Sequence, residues 1–154
     1  HYSASDFPFK GSIGQLIGVS AATKDRILEK HLAALDITAA QFKVLIFVGL
    51  NRANSPVELC RELSVDSGSM TRMLARLEKK GLLLRGRCPE DRRCLRLDLS
   101  EAGRKVQEQL PLIASAAMNE LVACLSTEEL QTLTHLLTKV LLHAGCPRAS
   151  LQES

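Results

Sequence analysis

The stretch SPVELCRELSVDSGSMTRMLARLEKKGLLLRGRCPEDRRCLRLDLS, residues 55–100, decides the fold. It opens on Ser55-Pro56-Val57-Glu58. A serine can cap a helix, a proline suits the first helical position, and a glutamate three residues after the serine closes a capping box. A short helix from Pro56 to about Leu63 follows. Ser64-Val65-Asp66 then reads as a tight turn whose aspartate caps a second helix, running to Lys80 and stopping at Gly81. Beyond it, Leu82–Arg87 and Cys94–Leu99 are short apolar/basic alternations, with Leu95, Leu97 and Leu99 on one face and Arg96 and Asp98 on the other. Cys88-Pro89-Glu90-Asp91-Arg92-Arg93 is the polar tip between them. Two short helices joined by a tight turn and followed by a hairpin make a winged helix-turn-helix.

The second helix carries the chemistry. At about 100° per residue, Met70, Met73, Leu74 and Leu77 cluster on one face. Gly68, Arg72, Ala75, Arg76 and Lys79 lie opposite, with Ser69 and Thr71 on the flanks. Small side chains let a backbone approach base edges, Ser and Thr bond bases or phosphates, and Arg forks onto guanine or clamps a phosphate. At the hairpin tip, an arginine can enter a narrow minor groove while Asp91 holds a neighbouring guanidinium. Either Arg92 or Arg93 suits the first role.

Charge is concentrated in the same stretch. Between Arg72 and Arg96 stand nine basic and three acidic residues, a net +6 in a chain that totals +3. The remainder sums to −3, so the basic segment sits in a mildly acidic protein, as a polyanion-binding surface does.

Outward from this core the sequence is helical. Residues 9–33 hold a broken apolar stripe of Ile13, Leu16, Ile17, Ile27 and Leu28, interrupted by Ser20 and Lys24. Lys24 and His31 interrupt or edge it; either could meet a carboxylate, set against a surface or snorkelling role, which suits them better. Thr38 is an N-cap for a helix through Phe42, Leu45, Ile46 and Val48. Ser100 caps a long helix to about Cys124, in which Pro111 forces a bend or a break. Ser126 and Glu129 form another capping box, and the last helix ends at Gly145. The order is α-α-α-α-β-β-α-α: mostly α with a small β-hairpin wing.

Only 3% of residues are aromatic, none of them Trp, while 45% are hydrophobic, so the core is built from aliphatic side chains that suit packed helices. Five irregularly spaced cysteines with no CxxC pair imply reduced thiols and a cytoplasmic protein. No signal peptide is evident, the first residue is not Met, and the longest apolar run, Val44–Leu50, is too short to span a membrane. No Gly-rich phosphate loop, metal-ligand spacing or nucleophile–base set is present, which argues against an enzyme, a metal or a cofactor.

Several segments resemble the MarR family of transcription regulators. Leu35-Asp36-Ile37-Thr38-Ala39-Ala40-Gln41-Phe42-Lys43-Val44-Leu45 is similar to its second-helix signature. Ser64-Val65-Asp66, Thr71-Arg72-Met73-Leu74 and Arg76-Leu77 resemble its recognition helix, Asp91-Arg92-Arg93 its wing, and Leu99-Ser100-Glu101-Ala102-Gly103 its strand-to-helix junction. The resemblance implies a homodimer on double-stranded DNA with a pseudo-palindromic operator, usually a repressor, released by a small aromatic or phenolic ligand or an oxidant. It implies a DNA-binding lobe at 36–99 and a helical dimerisation region at 9–35 and 100–145. It places DNA contacts on Ser67, Ser69, Thr71, Arg72, Arg76, Arg92 and Arg93, with Asp91 supporting the wing.

Phe42 and Ile46 are candidate walls for the ligand, set against plain core packing. Cys88 and Cys94 flank the tip and are candidates for a redox switch, set against two unrelated thiols. Where the repressor that names the family has a cysteine near the end of the recognition helix, this chain has Lys79, and no cysteine precedes Cys60. The alternatives are a thiol- or oxidant-responsive regulator of the same fold, or a winged-helix module that binds protein.

Overall fold

Helix ends are set by local hydrogen bonds, and in this chain nearly every start is capped. The computed structural model describes residues 1–87 and 95–146, with Arg87 described through its backbone alone. Cys88, Asp91, Arg92, Arg93 and Cys94 therefore lie outside the described residues. The elements are α1 (Ile13–Leu32), α2 (Ala39–Gly49), α3 (Pro56–Leu63), α4 (Ser67–Lys79), β1 (Leu83–Arg87), β2 (Leu95–Leu99), α5 (Glu101–Gln107), α6 (Leu110–Val122) and α7 (Thr127–His143). A single 3-10 turn, Ala33–Leu35, follows α1.

The α3 cap shows the logic. The Glu58 carboxylate accepts from the backbone N–H groups of Asn54 (2.8 Å) and Ser55 (3.0 Å), and Ser55 Oγ accepts from Glu58 N–H. Backbone and side-chain hydrogen bonds from Asn54 and Ser55 hold the Glu58 carboxyl below its ordinary range. A depressed folded-state pKa contributes stability that is present above the unfolded value and is lost as pH falls through the folded one. The wild-type melting temperature should therefore fall more steeply below about pH 4.5 than that of Glu58→Gln, which has no charge to lose. Parallel acid slopes in thermal melts of the two would show that the cap carries none of the acid sensitivity.

The described residues divide into two compact units, one through Met118 and one from Asn119 onward. The core lies in the first. Leu32, Val44, Leu45, Leu59, Met70, Leu74, Leu77, Leu83, Leu97, Leu99 and Leu110 are all fully buried. In α4 the expected face is the one buried: Met70, Leu74 and Leu77 are inside and Met73 packs against them half-buried. β1 and β2 pair antiparallel, with Leu83 opposite Leu99 and Arg87 opposite Leu95. Leu97 and Leu99 point inward, and Leu97 N–H donates to the Asn54 carbonyl at 2.7 Å, fastening the hairpin to the loop before α3.

The structure refines the sequence-based expectation at two places. The apolar stripe of 9–33 belongs to one unbroken helix capped by Ser12, but only its C-terminal Leu28 and Leu32 are buried. Ile13, Leu16 and Ile17 face outward. The helix after Ser100 is two helices, α5 and α6, parted at Glu108–Gln109. The Pro111 ring excludes the carbonyl four residues back and lacks an N–H, so the helix cannot run through 107–111. Gln109 N–H turns instead to the Val106 carbonyl at 2.9 Å. Among the described residues no single helix is long and apolar enough to cross a membrane.

Candidate nucleic-acid interface

The turn between α3 and α4 is made by Ser64 in the left-handed conformation (φ 52°), whose N–H closes on the Cys60 carbonyl. Asp66 then caps α4, accepting the Ser69 N–H at 2.8 Å. Hydrogen bonds from the Ser69 side chain and backbone hold the Asp66 carboxyl below its ordinary range, and the nearby Arg72 charge adds to this. The first turn of α4 is thereby fixed while its outer face stays open.

That outer face presents Ser67, Gly68, Thr71, Arg72, Ala75, Arg76 and Lys79, all exposed. The small residues stand toward the helix N-terminus and the cations follow. Arg72 Nη2 donates to Ser69 Oγ at 3.0 Å, so its guanidinium is held against the helix rather than swinging freely. Thr71 Oγ1 donates to the Ser67 carbonyl at 2.8 Å. Its hydroxyl proton is committed, leaving lone pairs and a methyl group for an approaching ligand. Of the sequence-derived contacts, Ser67, Ser69, Thr71, Arg72 and Arg76 therefore share one helix. Arg96 is exposed on the outer face of β2.

Two features were hidden from sequence reasoning. A hollow of about 230 Å³ lies between the start of α2 and α4, lined by Thr38, Ala40, Gln41, Ser69, Arg72, Met73 and Arg76. Sequence periodicity treats α2 and α4 as separate helices, so nothing signalled that Thr38 and Arg76 share a hollow. The second is that part of the basic stretch is already paired: Arg85 with Glu78 at 2.8 Å and Lys80 with Asp36 at 3.1 Å. Phe42 and Ile46 are half-buried against the core and do not line that hollow. Lys24 bonds Asp25 at 2.8 Å, and Lys43 approaches the same carboxylate at 3.5 Å.

A capped short helix, a left-handed turn, a second helix with a small-then-basic outer face and a two-stranded hairpin complete a winged helix-turn-helix. The sequence profile of the MarR family matches residues 37–95, from just before α2 into β2. The multiple antibiotic resistance protein MarR of Escherichia coli K12 is 43% identical over 130 residues, covering 84% of this chain and 90% of that protein. The chain belongs to the MarR family. The crystal structure of wild-type E. coli MarR without ligand superposes with a TM-score of 0.76, covering 84% of this chain and 97% of that one. A cysteine-to-serine variant of E. coli MarR, crystallised with operator DNA, superposes equally well at 0.76 and 43% identity, covering 84% of this chain and 93% of that one. No group of three or more His, Cys, Asp or Glu suited to hold a metal ion occurs among the described residues.

Proposed function

We infer that this MarR-family chain is a homodimeric transcription regulator that binds a pseudo-palindromic DNA operator, acting as a repressor. The outer face of α4 carries the reading: small residues where a backbone must approach bases, then Arg72 and Arg76, on a helix whose opposite face is locked in the core. The existence of a MarR relative in complex with operator DNA supports it. Residues 36–99 are proposed as the DNA-binding lobe and 9–35 with 100–145 as the dimerisation region. Ser67, Ser69, Thr71, Arg72 and Arg76 are the proposed helix contacts.

Dimerisation is supported by apolar surface that a single chain leaves in water. Along α1, Ile13, Leu16, Ile17 and Val19 are exposed. In α7 no residue is buried, although Leu133, Leu136, Val140, Leu141 and Leu142 give it ample apolar surface. A helix that leaves so much apolar surface in water gains most from a partner that covers it.

Release by a small aromatic acid is proposed at the hollow beside α4. Two arginines suit a carboxylate, Met73 suits a ring, and a ligand there would occupy Arg72 and Arg76, the same groups offered to DNA.

The test is a titration of the protein with a duplex that it selects from a random-sequence pool. Operator affinity should drop about a thousandfold between roughly 50 and 200 mM salt, as condensed counterions are released. The selected sites should be palindromes with half-sites about one turn, roughly 34 Å, apart. Salt-independent binding, or failure to select any duplex, would remove this reading and favour a protein-binding winged helix.

A further inference from the structure

We propose that Glu78 and Asp36, through Arg85 and Lys80, are positioning residues that clamp the last turn of α4 and so set the aim of the DNA-reading end. This rests on the DNA-binding reading above and adds to it a division of labour within the basic stretch: Arg85 and Lys80 hold the helix, and do not contact phosphate.

The observations are cross-element contacts at one end of one helix. Glu78 Oε2 lies 2.8 Å from Arg85 Nη2, joining α4 to β1, and each side chain is only about 30% exposed. On the other side Lys80, the C-cap residue of α4, reaches the turn after α1. Its ammonium lies 3.1 Å from the Asp36 carboxylate and also donates to the Asp36 carbonyl. Asp36 holds a left-handed conformation (φ 50°), which Asp adopts more readily than most non-glycine residues, and its side chain is 93% exposed, so this tie is the weaker of the two. An acid in the last turn of a helix is also disfavoured by the helix dipole unless it is paired. Glu78 is such an acid, and Arg85 is its partner.

Lever geometry makes the last turn matter. The 13 residues of α4 extend about 20 Å, so a tilt of about 5° at the last turn moves the first turn by about 1.7 Å. That exceeds what a hydrogen bond to a base edge tolerates. The two ties also join the recognition helix to the hairpin on one side and to the α1–α2 turn on the other, so the helix is held in fixed relation to both.

The two possible roles of Arg85 predict opposite signs for one substitution. Glu78→Gln is isosteric, removes a negative charge and leaves Arg85 in place. If Arg85 contacted phosphate, with Glu78 damping it, Glu78→Gln would raise affinity for every duplex. Under the clamp, affinity for poly(dI-dC) rises slightly with the added charge, while affinity for the duplex selected by wild type falls about fivefold. The ratio of the two is the measurement, taken by fluorescence anisotropy on the full chain. The charge-swapped double variant Glu78→Arg, Arg85→Glu conserves net charge and should recover the ratio, a result that a phosphate-contacting Arg85 would not give. Asp36→Asn tests the other tie: it tolerates the left-handed backbone and keeps the carbonyl acceptor, so the ratio should fall less than in Glu78→Gln. A rise in both affinities together in Glu78→Gln, or no recovery in the double variant, overturns the proposal while leaving DNA binding intact. A wild-type protein that selects no duplex overturns both.

Discussion

Replacing Gly103 with alanine is expected to lower the melting temperature by about 10 °C. A Cβ on Gly103 would stand 2.0 Å from the Leu82 carbonyl oxygen and 3.0 Å from its carbonyl carbon. Those are backbone atoms, so no rotamer change relieves the overlap. The carbonyl is also held where it is, because it accepts the Ser100 N–H at 3.1 Å. Ser100 in turn caps α5 through the Gly103 N–H at 2.9 Å and donates its hydroxyl to the Gly81 carbonyl at 2.5 Å. Alanine must therefore push α5 away from the segment that joins α4 to β1, with Leu82 and Leu83 buried beside it. Overpacking of this kind costs about 3 kcal/mol, and a domain of this size loses roughly 2–4 °C per kcal/mol.

Two other glycines serve as controls for that result. At Gly49 a Cβ meets the side chains of Gln107 and Leu99 at 3.0 Å, and the glutamine can swing aside, so Gly49→Ala should cost less. Gly81 has open space around it but a φ of +69°, so alanine there costs only the left-handed penalty, about 1 kcal/mol. Thermal melts that ranked the three equally would show that the close approach of α5 to Leu82 is not a rigid constraint.

The Gly103 contact also marks the boundary of what the sequence could tell. Features made by residues within four positions of each other were legible. Ser55 with Glu58, Ser126 with Glu129, Asp66 as a cap, and Gly81 and Gly145 as left-handed stops all stand where the sequence put them. The wheel of α4 and the alternation of β2 were legible for the same reason, since a period of 3.6 or 2 needs only the local chain. Pro111 announced a break, but its place was not readable to the residue. The ring acts on a carbonyl four positions earlier, so the interruption falls at Glu108–Gln109.

What depends on partners far along the chain was not legible. Lys80 reads as one more DNA-facing cation until Asp36, 44 residues earlier, is seen beside it. Arg85 reads the same way until Glu78 is found across from it. The hollow on α4 needs α2 laid against it. The apolar residues of α1 read as a stripe, but which of them one chain buries was not legible: Leu28 and Leu32 are inside, while Ile13, Leu16 and Ile17 remain in water.

The second large effect is expected at Arg72. Arg72→Ala should weaken operator binding by about 2–6 kcal/mol per dimer, since a bidentate contact to guanine is worth roughly 1–3 kcal/mol and each protomer makes it once. At about 1.4 kcal/mol per decade, this is a factor of roughly thirty to twenty thousand. Base readout rather than a plain phosphate clamp is the role proposed for this residue. Arg72 stands on the exposed face of α4, one turn after Gly68, where the backbone can come close, and Ser69 Oγ already orients its guanidinium. A restrained arginine surrenders less rotamer freedom on binding than a free one, which favours directional contact. Arg72→Lys separates the two roles, because lysine keeps the charge and loses the fork. If Arg72 reads a base, Arg72→Lys should resemble alanine on the selected duplex, while its affinity for poly(dI-dC) and its salt slope stay near wild type. One symmetric pair of base positions should also become degenerate when the variant selects its own sites. Lys79→Ala should do the reverse: affinity falls alike on all sequences, and the salt slope drops by about one unit for each protomer. An Arg72→Lys protein that bound the selected duplex as tightly as wild type would move Arg72 from base readout to phosphate contact, leaving Arg76 as the arginine on α4 placed to read sequence.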